Sequence, residues 1–158
     1  MILVTTGTQL PFDRLVAAVD DVAPSLTEPV FAQIGVSDYK PRHFEWTEKL
    51  RPSQFDEKVR EASLVVSHAG IGTILRAKKY GKPIILFPRQ VAFGEQRNDH
   101  QLATCAQLAD EPGIYIAMDP SSLAELMSRK DLQAASVGSS AERRAKLLNN
   151  LRDYLRDL

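Results

Sequence analysis

The chain has 158 residues, enough for one domain with a single core and short for a two-domain enzyme. Its 20 basic and 20 acidic residues cancel, so no bulk field favours nucleic acid or an anionic membrane. A single cysteine, Cys105, excludes an intramolecular disulfide and a cysteine-cluster metal site, and the absence of any apolar run of about 18 residues or a basic-flanked leader makes a soluble, cytoplasmic protein the expectation.

Ile2-Leu3-Val4 opens a first strand that runs into a polar turn, Gly7-Thr8-Gln9. Phe12, Leu15, Val16 and Val19 then recur at helical spacing, and a second apolar run spans 30–34, so the chain begins β, α, β. From 35 to 52 the composition turns polar around Phe44 and Trp46, which reads as a loop holding one short strand. A helix starting near Pro52 turns Phe55, Val59 and Ala62 inward.

The stretch 63–88 organises the rest. Leu64-Val65-Val66 is a short buried strand, followed by the Gly-rich turn His68-Ala69-Gly70-Ile71-Gly72-Thr73. A helix runs on to Tyr80, stopped by Gly81 and Pro83, and Ile84-Ile85-Leu86-Phe87 forms the next strand. Two buried strands joined by one amphipathic helix make a parallel crossover whose loop lies at the carboxyl edge of the sheet, where open α/β folds bind ligands. Gly70 and Gly72 let the backbone approach a ligand, and the unpaired N–H groups of a first helical turn suit phosphate. Thr73 adds a hydroxyl, and His68 adds a donor that is charge-assisted if protonated. The pattern is neither a P-loop nor a dinucleotide fingerprint, because no Gly-Lys-Ser/Thr follows and Leu75 stands where a third glycine would be. Two readings stay open on these residues alone: a phosphate cradle, or an ordinary tight turn between strand and helix.

A loop of mixed charge, 89–97, of a kind commonly functional or mobile, leads to Asn98-Asp99-His100-Gln101. That run is expected to form the first turn of a helix with Asn98 or Asp99 as its cap, and a capping box by itself would account for Asn98 and Gln101. Cys105 falls in the helical run that follows, where buried filler is the expected role. A short strand at 114–117 precedes a helix capped near Asp119. The domain is expected to span 1–130, with a small-residue linker at 131–140 and a terminal amphipathic helix at 141–158 carrying the stripe Leu147, Leu148, Leu151, Tyr154, Leu155 and Leu158. The fold class is α/β, a Rossmann-like parallel sheet of about five or six strands with helices on both faces.

Three motifs occur in one order: Ser67-His68-Ala69-Gly70-x-Gly72-Thr73, Gly81-Lys82-Pro83 and Asn98-Asp99-His100-Gln101. Together they resemble the C-terminal, donor-binding half of GT-B glycosyltransferases of the family 28 type. The resemblance is strongest to the small soluble subunits of split enzymes, those of bacterial exopolysaccharide assembly and of dolichol-linked sugar synthesis. It implies that the 68–73 loop stabilises charge on a leaving UDP and that Gly7-Thr8-Gln9 borders the diphosphate or the cleft. It implies further that the segment around Phe44 and Trp46 lines a uracil pocket, mainly through backbone groups, although Trp46 reads equally as plain core, and that His100 and Gln101, beside Asn98 and Asp99, meet hydroxyls of the donor sugar.

One position departs from that family. Where its members often carry a ribose-gripping Glu three residues after the loop Thr, this chain has Arg76. A guanidinium has five donors and no acceptor, so it does not copy that contact but suits a phosphate or a sugar carboxylate. The resemblance also implies a membrane-associated partner that holds a lipid-linked acceptor and the catalytic base, with His100 a local candidate for the base. The expected donor is a UDP-sugar, with no metal and no other cofactor. A non-catalytic nucleotide-binding or protein-interaction module is the alternative. A nucleotide-sugar epimerase needs two domains in one chain.

Overall fold

The computed structural model describes residues 1–7, 10–136 and 151–152. Its frame is one six-stranded sheet in which every pairing is parallel. The strands are β1 (Ile2–Thr5), β2 (Val30–Gln33), β3 (Glu45–Thr47), β4 (Leu64–Ser67), β5 (Ile84–Leu86) and β6 (Ile114–Ile116), in the order β3-β2-β1-β4-β5-β6. The helices are α1 (Asp13–Val22), α2 (Pro52–Glu61), α3 (Ile71–Lys79), α4 (His100–Leu108) and α5 (Pro120–Ser128). Among the described residues, no helix is long and apolar enough to cross a membrane.

Burial on both faces explains why the central strands read as unbroken apolar runs. Ile2, Val4, Val66 and Ile85 face one way and pack with Phe12, Leu15, Val19, Leu123 and Met127 of the α1 and α5 side. Leu3, Val65, Ile84 and Leu86 face the other way, against Phe55, Val59, Ile74, Ala77, Cys105 and Leu108. The alternation is the two-residue period of the strand, applied to a sheet with helices on both sides.

Register then places the site. Thr5 lies beside Gln33 of β2 and Ser67 of β4, so the three central strands end at one level. The chain builds outward from β1 through β2 to β3, then returns to the other side of β1 to lay down β4, β5 and β6. Loops leaving β1 and β4 therefore diverge, and a crevice opens between them at the carboxyl edge.

Several local expectations change. α4 begins at His100, so Asn98 stands in the preceding loop, where its side-chain oxygen accepts from the His100 N–H at 2.9 Å. Asp99 occupies the N-cap position, as one of the two expected caps, but its carboxylate makes no cap bond and accepts from the Val91 N–H at 2.9 Å. The 89–97 loop is tied down: Arg14 grips Glu95 with two hydrogen bonds of 3.0 Å, and a short 3-10 turn forms at Val91–Phe93. At the start of the expected linker, residues 131–136 run along the domain, with Ala135 buried and its N–H donating to the Lys82 carbonyl at 3.1 Å. Gly113 makes room for them, because a Cβ there would stand 2.2 Å from the Ala135 nitrogen. Of the terminal stripe, Leu151 packs against the α2–α3–α4 core; Leu147, Leu148, Tyr154, Leu155 and Leu158 lie outside the described residues.

Candidate functional site

At the switch between β1 and β4 lies an open cleft of about 410 Å³. Its walls come from several places: Thr5 at the end of β1 with Gly7 beyond it, Gln33 at the end of β2 with Lys49 and Leu50 after β3, the 68–73 segment after β4, and Arg89, Gln96 and Gln101 after β5. Phe55 and Arg76 close the α2 and α3 side.

The loop is built as a helix entrance. Gly70 precedes α3 in an extended conformation, and the first backbone bond of the helix runs from the Ile74 N–H to the Gly70 carbonyl at 3.2 Å. The N–H groups of Ile71, Gly72 and Thr73 come before that bond and belong to residues that line the cleft. Such groups carry the positive end of the helix dipole, which is chemistry for an anion.

His68 sits between two glycines. A Cβ on Gly7 would lie 2.7 Å from its Nε2, and one on Gly70 would lie 2.3 Å from its Cε1. Gly7 also has φ of +80°, which L side chains rarely adopt. Both glycines are therefore required by the ring they hold. Nδ1 of His68 lies 3.0 Å from the side-chain nitrogen of Gln101. Burial above all, then the charge of Arg89, pushes the imidazole down to about 3. The charge-assisted donor considered from the sequence is thus replaced by a neutral ring at physiological pH.

Gln101 is itself buried, at 1 % exposure. Its Oε1 accepts from the Ala69 N–H at 3.1 Å and the Arg89 N–H at 2.9 Å, so it ties the loop after β4 to the loop after β5. A capping box does not explain this residue, because its side chain points away from the start of its own helix. Arg89 is equally enclosed: its guanidinium donates to the carbonyls of Thr6, Pro11 and Glu95 and lies 4.7 Å over the Phe12 ring. Its charge is felt at the cleft, where it helps to hold down the proton affinity of His68.

The remaining predicted residues divide. Gly7, His68, Gly70, Gly72, Thr73, Arg76 and Gln101 meet at the cleft. Arg76 donates to the Asp56 carboxylate at 2.8 Å and to the Gly72 carbonyl at 3.4 Å, so part of its charge is already balanced. Phe44 and Trp46 pack on the α1-side core instead, with the Lys40 ammonium 5.0 Å over the indole, and neither lines the cleft. Asn98, Asp99 and His100 also stand outside its lining. Thr8 and Gln9 lie outside the described residues.

Thr5, Gln33, Lys49, Leu50, Arg89 and Gln96 are cleft residues that the sequence reading missed. Thr5 had a signal, as the polar residue that ends the first apolar run, and Gln33 had another, as the one polar residue inside the apolar run 30–34. They are also joined: Gln33 donates to the Thr5 hydroxyl at 3.2 Å and accepts from the Leu50 N–H at 2.8 Å. Cys105 is buried, and burial pushes its thiol up to about 12, which suits packing and not nucleophilic chemistry.

The description of the glycosyltransferase family 28 C-terminal domain matches residues 1–153. The chain belongs to that family. This glycosyltransferase domain is 30% identical over 128 residues to the human UDP-N-acetylglucosamine transferase subunit ALG13; the match covers 72% of the chain and 11% of that relative. In structure it is similar to ALG13 solved by NMR, with a TM-score of 0.63, 16% identity, and coverage of 93% of this chain and 94% of that one. It is also similar to the glycotransferase of kitacinnamycin, with a TM-score of 0.60, 23% identity, and coverage of 96% of this chain and 39% of that one. These two likenesses speak to the fold alone: the glycosyltransferase domain has the Rossmann-like architecture of the C-terminal half of a GT-B enzyme.

Proposed function

We propose that this domain is the UDP-sugar-binding subunit of a two-chain inverting glycosyltransferase that adds a sugar to a lipid-linked acceptor in polysaccharide biosynthesis. The observation that carries the reading is the convergence of the α3 N-terminus, His68 and the enclosed Arg89 cation on one cleft at the topological switch point. A diphosphate leaving group needs hydrogen-bond donors and positive charge fixed before the reaction, and this arrangement provides both. The curated relative is named as a subunit of a UDP-N-acetylglucosamine transferase, which favours a UDP-sugar donor and a partner chain. The partner would be membrane-associated, supply the acceptor and the base, and hold this chain at the cytoplasmic face of the membrane. It would also shut the open cleft and exclude water, strengthening every charge interaction inside. The reading uses no metal and no cofactor, because the loop and the cations carry the leaving-group charge. Arg76 at the cleft wall favours hexosyl or glucuronosyl transfer, its guanidinium suiting an acidic donor.

The test is calorimetric titration with UDP, UDP-GlcNAc, UDP-glucose and UDP-glucuronic acid. UDP is expected to bind, and His68→Ala to weaken it at least about tenfold, the scale of one hydrogen bond to a charged group. Arg76→Gln is the cleaner probe of donor choice, since a glutamate would face Asp56, and it should weaken the acidic donor selectively. If no nucleotide binds with or without a co-purified membrane partner, the reading is wrong and an interaction module replaces it.

A further inference from the structure

Gln101 does more than tie two loops together. Its Oε1 accepts from two backbone N–H groups, those of Ala69 and Arg89, at 3.1 and 2.9 Å. An amide nitrogen accepts nothing, so these two donors determine which end of the side chain faces them. The NH₂ end is left facing His68 Nδ1 at 3.0 Å. A ring nitrogen that receives an N–H must be unprotonated, and a neutral imidazole then carries its proton on the other nitrogen. That nitrogen, Nε2, lies on the side of the ring enclosed by Gly7 and Gly70, both of which line the cleft.

We propose that Gln101 is a positioning residue that holds His68 in its Nε2–H tautomer, making the imidazole a neutral donor of fixed direction for an anionic oxygen in the cleft. This deepens the diphosphate reading and rests on it for the identity of the anion. A free histidine changes its donors near neutral pH; here the backbone of two loops chooses the tautomer through one amide. Arg89 faces the ring, and Lys49 and Arg76 stand on the cleft wall; all are cationic, so none draws a second proton onto the imidazole. Nucleotide affinity should therefore stay flat between about pH 6 and 8, apart from the titration of the phosphate itself.

The decisive measurement is the ¹⁵N spectrum of the His68 ring in the unliganded wild-type chain, which needs no variant to fold. A protonated Nε2 and a bare Nδ1 from pH 6 to 8 is the expected result. A proton on Nδ1, or a mixture of tautomers, would overturn the proposal whatever the protein binds. Gln101→Glu then reverses the lock while preserving shape. Its carboxylate still accepts from Ala69 and Arg89 but also demands a proton on Nδ1. UDP affinity in this variant should fall about tenfold at pH 8, where the ring has a proton on Nδ1 only, and recover toward pH 6 as Nε2 is protonated. A Gln101→Glu protein with wild-type ring signals and wild-type UDP affinity would also refute the lock. Absence of UDP binding by the wild type would instead sink the diphosphate reading, leaving the ring spectrum to decide the role of Gln101.

Discussion

Two glycines two residues apart in one loop have opposite physical reasons to be glycine. At Gly70 the backbone is one that any residue adopts, but a Cβ would drive into the His68 ring. At Gly72 the nearest atom to a Cβ is Arg76 Nη1, at 3.5 Å, an ordinary contact. Gly70→Ala should therefore displace His68, cost about 1–3 kcal/mol of stability and abolish nucleotide binding. Gly72→Ala should leave stability equal or raise it by about 0.5–1 kcal/mol through helix propensity. Its methyl would still stand in the cleft, so nucleotide affinity should fall. Urea unfolding and calorimetry on both variants separate the two effects; equal loss of stability would refute the distinction.

Among the secondary elements, the 89–97 loop shows how a segment that looks free in sequence is fastened. Arg14 of α1 lies between the Phe87 and Phe93 rings, 4.3 and 4.4 Å from their centroids, while its guanidinium grips Glu95, whose side chain is only 7 % exposed. Removing one partner strands a buried charge, whereas removing both does not. Arg14→Met should cost about 3 kcal/mol and raise hydrogen exchange across the loop, and Arg14→Met with Glu95→Met should recover most of that loss. A double variant no better than the single would mean that the cation's ring contacts, and not the ion pair, hold the loop. The loop matters because its first residue, Arg89, carries charge to the cleft, so α1 on one face of the sheet supports a site at its edge.

For the whole molecule, the half-buried, neutral His68 ties stability to pH. Its folded value lies near 3 against 6.5 for a free imidazole. Between those values the unfolded chain binds a proton that the folded chain refuses. The stabilisation is complete above 6.5 and is lost progressively as pH falls toward 3. The Asp20 carboxyl, held below its usual range despite burial by hydrogen bonds from Tyr39 and the backbone of His43 and Arg42, adds acid sensitivity at the lower end. Comparing urea midpoints at pH 7.5 and 4.5 isolates the histidine: His68→Gln should lose less stability over that interval than the wild type. Identical losses would show that His68 takes up its proton in the folded state.

Much of this molecule is legible without coordinates. Apolar runs at 2–4, 30–34, 64–66, 84–87 and 114–117, separated by helical periodicity, specify a parallel sheet, because a strand buried on both faces is apolar along most of its length. A glycine-rich turn between β4 and α3 then falls at the carboxyl edge for topological reasons alone. Sequence carried less at the remote positions. Gln101 reads equally as a cap, a sugar contact or a buried anchor, and only packing brings its amide against His68, 33 residues away. Trp46 reads equally as a pocket residue or as plain core, and only the structure packs it, with Phe44, on the α1 side. Periodicity is a property of neighbours along the chain and can be counted. Protonation state and hydrogen-bond direction depend on burial and on groups far apart in sequence, and the tertiary structure alone decides them.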